Sequence, residues 1–591
     1  MPASAAASPT IADPDPAKIP RRAWWCRASV LTTIIFAAVL LNNSEVLFQS
    51  HQYEADDYAA NSLQVLKAKQ FHETLGHYCR FGFQHPGPAF LYVFGWGEIL
   101  FFDTTHLVPT PFNGQLIALY ALSAFFFGAT LALVASRLGA AGPWFVGLAL
   151  VFAAWHFGAV GRFYAFVPGH YGLLTPWPPA FIVLPFLCLM VAAASVAAGS
   201  GKDLPLMTLA GCFLVHGHVA MPLFVGPLTM IAYAALWLES RRIGQRPWNL
   251  FPRQHWIAAA TIALFLLPIA IDFFTARPNN LERISHHLRA EYGEGKGLLQ
   301  SLLYFLHFGA YAGYPSRWRI PTFETFDASG LRTFFLLHWR AYALWFSSIL
   351  LFATMTRAEK RQSEHEPMRK FRPRMCLILA IATGLSLVWG SMQEGPMFDY
   401  NSLINFAIYY AWLLVVALTA AAWIDNRLSL WHARTVPSSA YTWPARIRLV
   451  GLITLLLAVV AAFTHERRRF RAAPDNYRQR LFEESVAQAL ILDPAQPKFL
   501  NFDWQSNSQA TRLAVYFERR GIRWWVRENW PLQFGADRII TPGRSDQPVP
   551  TLSSSFWQTA LHSNPAATGG DPRAIVLPLT PEVDLVVHAG K

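Results

Sequence analysis

Three carboxylates fall within four residues in the stretch His51-Gln52-Tyr53-Glu54-Ala55-Asp56-Asp57-Tyr58. Acids at this density carry two kinds of chemistry. One carboxylate can take the proton of a hydroxyl acceptor as a general base. Like charges side by side raise one another's pKa, toward the working range of such a base. Alternatively, the pair Asp56–Asp57 can hold a divalent cation that steadies a phosphate or pyrophosphate. A plainer reading stands beside both: acidic residues on a loop are often simply solvated.

A second cluster follows about 30 residues on, as Gln84-His85-Pro86-Gly87-Pro88-Ala89-Phe90-Leu91-Tyr92. Proline suits the first turn of a helix, because the N–H it lacks has no partner there. Pro86 and Pro88 therefore read as structural. His85 can hydrogen-bond a phosphate or an acceptor, or serve as a plain helix cap. His216 and His218 form a further pair near the end of an apolar run, but a spacing of two turns helical side chains apart. A metal site there is disfavoured.

These groups must be held by membrane-spanning helices. More than half of the 591 residues are hydrophobic, 14% are charged and 15% are aromatic, with 22 Trp and 45 Phe. Apolar runs of about 20 residues, enough to cross a hydrocarbon core of about 30 Å, recur along the chain. The spans are placed near 28–48, 114–135, 143–160, 178–198, 204–220, 222–238, 256–274, 332–355, 375–392, 402–423 and 449–465. The net charge of +13 comes from basic residues gathered between these runs, the distribution of cytoplasmic loops rather than of a nucleic-acid-binding surface. Residues 357–374 carry seven Lys or Arg and residues 424–448 carry four, whereas 393–401 carry none. With the N-terminus inside, all five loops expected on the cytoplasmic side are basic. Parity then requires that 86–103 and 297–314 do not cross; both read as helices lying at or dipping into the outer interface. Arg467, Arg468 and Arg469, just outside the last span, run against this scheme. The first apolar run is too long for a cleavable signal and no small-residue cleavage site follows it, so it reads as an anchor.

An acidic pair after the first span, followed by a loop and a His-Pro-x-Pro segment leading into an apolar-aromatic stretch, resembles the GT-C fold glycosyltransferases. Protein O-mannosyltransferases and aminoarabinose transferases carry such an acidic pair and a His-Pro-Pro or Lys-Pro-Pro segment. Pro176-Trp177-Pro178-Pro179 and Arg277-Pro278-Asn279-Asn280-Leu281 also resemble elements of bacterial relatives. The resemblance spans residues 28 to 290 loosely. It departs from the pattern in having Asp56-Asp57 as the pair and Gly87 between the prolines. It implies a polyprenyl-phosphate-linked sugar donor in the bilayer and a saccharide, lipid or protein acceptor. Asp56 or Asp57 would be the catalytic base, with inversion at the anomeric carbon. Glu54, Arg80, His85, Arg162 and Arg277 would contact substrate, the arginines answering the charge of the leaving lipid phosphate. Each arginine is more readily an ordinary surface residue snorkelling at the interface. The implied location is a bacterial inner membrane. The residues fix no cofactor, and a divalent cation is compatible.

Residues 1–27 read as a disordered cytoplasmic tail, 28–465 as the transmembrane domain, and 466–591 as an extracytoplasmic α/β domain. In the last, 475–491 reads as a helix, 498–503 as a strand, 505–520 as an amphipathic helix and 522–526 as a second strand, with 574–579 and 583–587 as further strands. The domain is expected to fold on its own. It holds none of the five cysteines (Cys26, Cys79, Cys188, Cys212, Cys376), and no Cys-x-x-Cys site occurs. Two other functions fit the same features. One is a transporter or flippase of a lipid-linked saccharide, against which stands the lack of a clear repeat between the two halves. The other is a non-catalytic membrane partner whose acidic loop and outer domain serve binding.

Overall fold

Apolar runs in a bilayer must satisfy their backbone groups internally, and helices are the form that does so. The computed structural model describes residues 23–54, 56–79, 81–138, 142, 145–147, 149–150, 175–290, 295–313, 328–359, 366–393, 397, 399–435, 476–492, 498–502, 507–527, 533, 539–540, 551–556, 575–580 and 583–588. Helix α1 covers Ala23–Asn42. Helix α2, Asp56–Lys69, opens on the acidic pair. Helix α3, Ala89–Glu98, continues as one π-helical turn to Thr104. Helix α4 is Pro111–Ala135, and α5 is Val183–Ala197, entered through a short turn at Pro178–Phe181. Then come α6 (Leu204–Gly217), α7 (Met221–Arg242), α8 (Pro252–Thr275), α9 (Asn280–Ala290) and α10 (Leu298–Gly313). The long helices α11 (Ala328–Glu359), α12 (Glu366–Ser391) and α13 (Ile404–Thr435) follow. Helices α4, α6, α7 and α8, and the turn ahead of α5, all carry a proline at the first or second helical position.

The chain is a polytopic, largely helical membrane protein. Among the described residues, six helical segments are long and apolar enough to cross a bilayer: 111–135, 178–197, 221–242, 252–275, 370–391 and 404–424. The expected spans 143–160 (mostly) and 449–465 (entirely) lie outside the described residues, as do Arg467, Arg468 and Arg469. Helix α6 has only 14 residues. Helix α11 is long but carries Arg332 and Arg340 toward its start. Helix α5 is the buried centre of the bundle, while α8 exposes nearly its whole length, including Trp256, Leu264 and Phe274. An apolar face of that kind is suited to acyl chains rather than water.

Small residues let the helices approach. A Cβ on Gly97 of α3 would lie 2.4 Å from the carbonyl oxygen of Gly114 on α4, and one on Gly128 of α4 would lie 2.8 Å from the backbone nitrogen of Thr32 on α1. Backbones this close are typical of membrane helix pairs, where packing rather than water exclusion supplies the attraction. Helix α10 begins beside the end of α12, with Lys296 N donating to Ser391 O at 3.0 Å. Tyr409 in the second turn of α13 donates to Phe305 O at 3.0 Å.

After α14 (Asn476–Leu492) the chain builds a six-stranded sheet. Its strands are β1 (Lys498–Phe502), β2 (Trp524–Arg527), β3 (Ile539–Ile540), β4 (Thr551–Phe556), β5 (Ile575–Thr580) and β6 (Val583–His588), with helix α15 (Asn507–Arg519) between β1 and β2. The order is β3-β2-β1-β4-β6-β5. β1 pairs in parallel with β2 and β4, with Leu500 opposite Val526 and Leu552, and β6 runs antiparallel to β4 and β5. Ala510, Leu513, Ala514 and Phe517 form the buried face of α15. Gly521 ends the helix in the left-handed region at φ 67°, where glycine costs least.

The interior of this unit is not made from the C-terminal residues alone. Ala59 and Leu63 of α2 belong to the same apolar cluster as Phe482, Val486, Leu513, Phe517 and Trp524. An amphipathic α15 and the sheet supply most of that core, and a helix some 450 residues earlier closes it.

Candidate functional site

The acidic turn is pinned from below by one asparagine. Asn113, in the first turn of α4, places its Nδ2 2.9 Å from the carbonyl oxygens of Val46, Leu47 and Ser50. Its Oδ1 accepts from Gln52 N at 3.1 Å, and the Thr110 hydroxyl donates to Gln52 O at 2.6 Å. The chain leaving α1 thus enters the acidic stretch along a fixed path.

Asp56 and Asp57 then open α2, where the unpaired N–H groups of the first turn favour negative charge. Asp56 is exposed and has φ 51°, a left-handed conformation that costs a non-glycine residue about 1 kcal/mol. Asp57 is half-buried and accepts from Trp177 Nε1 at 3.2 Å. The Trp177 ring lies 5.4 Å from that of Tyr400. Burial holds the neighbouring Tyr58 phenol well above its usual range, and the charges of Asp57 and Asp56 add to the effect, against a hydrogen bond with Thr175.

Glu54 has a different situation. It is buried, and its Oε1 is 2.5 Å from Arg519 Nη2, at the last residue of α15. The same guanidinium reaches both oxygens of Glu98, at 2.7 and 3.1 Å. Lys69 joins Glu98 to Asp103, at 3.2 and 2.6 Å, and Gln115 donates to Glu98 at 2.8 Å. Burial opposes ionisation of Glu98, but the Arg519 charge and hydrogen bonds, helped by Lys69 and Gln115, hold its carboxyl below the usual range. Glu54, expected from sequence to contact substrate, is engaged in an internal ion pair with Arg519.

The His-Pro-Gly-Pro segment forms the adjoining wall. Gln64 of α2 ties the two together, donating to Gly76 O at 2.8 Å and accepting from Tyr78 N at 3.0 Å. His85 N donates to His77 O at 3.0 Å, and Gly76 N donates to His85 O at 2.9 Å. His85 Nδ1 accepts from Val219 N at 3.3 Å, which leaves the ring proton on Nε2 in the neutral form. Its ring stacks on His218 at 4.7 Å and 29°. Burial, with His218 and then His77 adding to it, depresses the His85 pKa well below the ordinary value. Asn280, opening α9, holds Gln84 by both backbone groups, at 2.9 and 2.8 Å.

The departure at Gly87 has a steric cause. A Cβ there would sit 2.3 Å from Nδ1 of the His216 ring, and the Gly87 amide donates to His216 O at 3.4 Å. Glycine between the prolines and histidine at 216 are two halves of one contact. His218, past the end of α6, turns away to His85 and lies 6.5 Å from the Trp389 ring. No group of three or more His, Cys, Asp or Glu side chains arranged to hold a metal occurs among the described residues.

Two neighbouring groups escaped the sequence reading. Burial pushes the Glu73 carboxyl up to about 7, against a hydrogen bond from the Leu75 amide. His77 lies fully buried against Phe90, Phe94 and Phe181, and burial lowers it to about 3. Of the three candidate arginines, Arg80 and Arg162 lie outside the described residues. Arg277 is exposed and donates to the carbonyls of Phe273 and Ala276, capping the end of α8.

A lipid-side feature adjoins this wall. An apolar groove of about 930 Å³ runs between α6, α7 and α8, lined by Met207, Val215, Tyr233, Trp237 and Ile262 among others. His216, which packs on Gly87, is also one of its lining residues. The groove therefore abuts the His-Pro-Gly-Pro wall.

No protein-family model matches the sequence, and no curated protein matches it. Solved structures are similar to it, two of them as follows. One is ArnT from Cupriavidus metallidurans bound to undecaprenyl phosphate, at 14% identity and a TM-score of 0.48, covering 94% of this chain and 97% of that one. The other is the Archaeoglobus fulgidus oligosaccharyltransferase in the apo form, at 14% identity and a TM-score of 0.34, covering 84% of this chain and 64% of that one.

Proposed function

We propose that the chain is an integral membrane glycosyltransferase that moves a sugar from a polyprenyl-phosphate-linked donor to an acceptor at the extracytoplasmic face of a bacterial inner membrane. The observation that carries this reading is that a carboxylate turn and an apolar groove both adjoin the His-Pro-Gly-Pro wall. Asp57 stands beside the half-buried rings of Trp177 and Tyr400, surfaces of the kind that stack on the C–H face of a sugar. The groove between α6, α7 and α8 suits a polyprenyl chain.

The chemistry balances with these groups. Asp56 or Asp57 takes the proton of the acceptor hydroxyl, and the freed oxygen attacks the anomeric carbon. The bond from that carbon to the phosphate oxygen breaks with inversion, and the lipid phosphate leaves with the electron pair. The charge developing on the phosphate needs a cation or donors aimed at it. Arg80 and Arg162 are assigned that role from sequence, with a divalent cation on the acidic pair as the other source. His85, neutral and proton-bearing on Nε2, can donate to a phosphate or acceptor oxygen. Glu54 contributes to the site by its ion pair, and Arg277 by closing α8.

Asp56→Asn and Asp57→Asn keep shape and hydrogen bonding but cannot accept the proton. One of the two variants, at least, is expected to lose about 10²–10⁴-fold in turnover, at wild-type expression and membrane insertion. The assay follows sugar release from undecaprenyl-phosphate-linked donors by purified protein in detergent, with and without EDTA. Near-native turnover in both variants overturns the general-base reading and favours a binding role for the loop.

A further inference from the structure

We propose that the C-terminal α/β unit is the clamp that sets the geometry of the Asp56–Asp57 turn, with Arg519 as its positioning residue. The structural part of this stands on contacts alone; the catalytic part rests on the function proposed above.

The segment carrying the two aspartates is gripped on both sides by residues more than 400 positions later. Before the pair, Tyr53 donates from its hydroxyl to Glu483 Oε1 at 3.0 Å, and Arg512 lies over its ring at 5.4 Å. Glu54 is bound by Arg519 at 2.5 Å. After the pair, Ala59 and Leu63 enter the C-terminal unit's own core against Phe482, Val486 and Phe517. Between these grips, Asp56 is held at φ 51°. Aspartate adopts that conformation more readily than most residues, and the grips on either side hold it there.

Arg519 is the pivot of the grip. It is the last residue of α15, and its guanidinium spans Glu54, ahead of the acidic pair, and Glu98, at the end of α3. One fork thereby ties the C-terminal unit to two membrane-side segments. It also answers the charge of two buried carboxylates, so the acids at the start of α2 are not crowded by uncompensated neighbours. An arginine is suited to this because its planar fork meets two carboxylates at once.

The test uses the full-length protein in detergent. Amide hydrogen exchange is read over residues 51–66 and, as an internal reference, over α5. Arg519→Met should speed exchange in 51–66 about tenfold and leave α5 unchanged. Arg519→Lys keeps the charge and loses the fork. It should melt as the wild type does and speed the same segment about threefold. With a donor that the wild type turns over, both variants should lower kcat, the Met variant by about tenfold, with KM for the donor unchanged. Unaltered exchange over 51–66 in the Lys and Met variants overturns the clamp. If Arg519→Met loosens the whole protein, the Lys variant decides. Faster local exchange in a protein that turns over no tested donor supports the clamp and removes the transferase reading. Faster local exchange with kcat unchanged overturns the positioning role.

Discussion

Residues 53–63 and residues 76–87 sit side by side at one end of the bundle, joined through Gln64, yet they are held by opposite means. The first segment is fixed by charge. Glu54, Glu98, Arg519 and Lys69 form one buried to half-buried ionic network that ends on the exposed Asp103, and its central cation, Arg519, comes from the far end of the chain. The second is fixed without any ion pair on its histidines. His85 and His218 are neutral stacked rings that accept backbone amides, and Gly87 makes room for His216. A charge network tolerates small shifts but depends on every partner being present. A steric contact of backbone on ring tolerates no added atom, but needs nothing from outside the bundle. The comparison assigns the acidic wall a dependence on the C-terminal unit that the histidine wall does not share.

The largest expected effect that separates the two is at Glu98. Glu98→Gln removes the carboxylate that Arg519 and Lys69 share and leaves both cations under-compensated in a buried setting. A loss of about 3 kcal/mol is expected, by analogy with broken buried pairs. Thermal melting in detergent should show it, and limited proteolysis should find the C-terminal unit released while α5 to α8 stay intact. A melt equal to that of the wild type would mean the ionic network contributes nothing to holding the acidic wall.

Next comes a pH effect on the other wall. Burial raises the Glu73 carboxyl from 4.5 to about 7. An acid raised on folding gives stability that is complete below its unfolded pKa and is lost as pH rises through the folded one. The window is therefore about 4.5 to 7, and the whole effect is on the order of 3 kcal/mol. His77, lowered to about 3 by burial, slopes the other way, losing stability as pH falls below 6.5. Between pH 4.5 and 6.5 these two slopes oppose and nearly cancel, so Glu73→Gln should leave the His77 slope alone and make melting temperature rise more steeply from pH 5 to 6.5 than in the wild type. An unchanged pH profile would show that Glu73 is not neutral in the fold.

The smallest effect is Gly87→Ala. One methyl group forced against the His216 ring is an overpacking change, costing about 1–3 kcal/mol. It should be relieved by His216→Ala in the same chain, as judged by melting of the single and double variants. Additive losses would mean that the two residues do not share the contact.

Much of the architecture was legible because period and length are local signals. Among the described residues, the apolar runs are helices near their expected places, and the C-terminal segments read from alternation and amphipathicity hold the strands at 498–502, 524–527, 575–580 and 583–588 and the helix at 507–519. The acidic pair and His85 stand out by type and spacing, and Gln64 joins their segments. What was not legible is long-range. Arg519 carries no local sign that it meets Glu54 and Glu98, and Glu54 looked like part of the acidic cluster for that reason. Glu98 did carry a sign, as a lone carboxylate ending an apolar run, where an ionisable group implies a named partner. Trp177 was noted only as part of a Pro-rich segment; its bond to Asp57 depends on how the bundle closes. Gly87 read as a flaw in a motif until His216 supplied the reason.

The pairing of Glu54 with Arg519 joins residues 465 positions apart, and that distance is also an interval of time. A ribosome adding about 5–20 residues per second makes Arg519 on the order of tens of seconds after Glu54. Throughout that interval the bundle inserts with its first loop lacking the cation and the apolar partners that hold it. On the clamp proposed above, nascent and truncated chains carry the aspartates on a turn not yet gripped, and that turn is set only when the last stretch of polypeptide has been made.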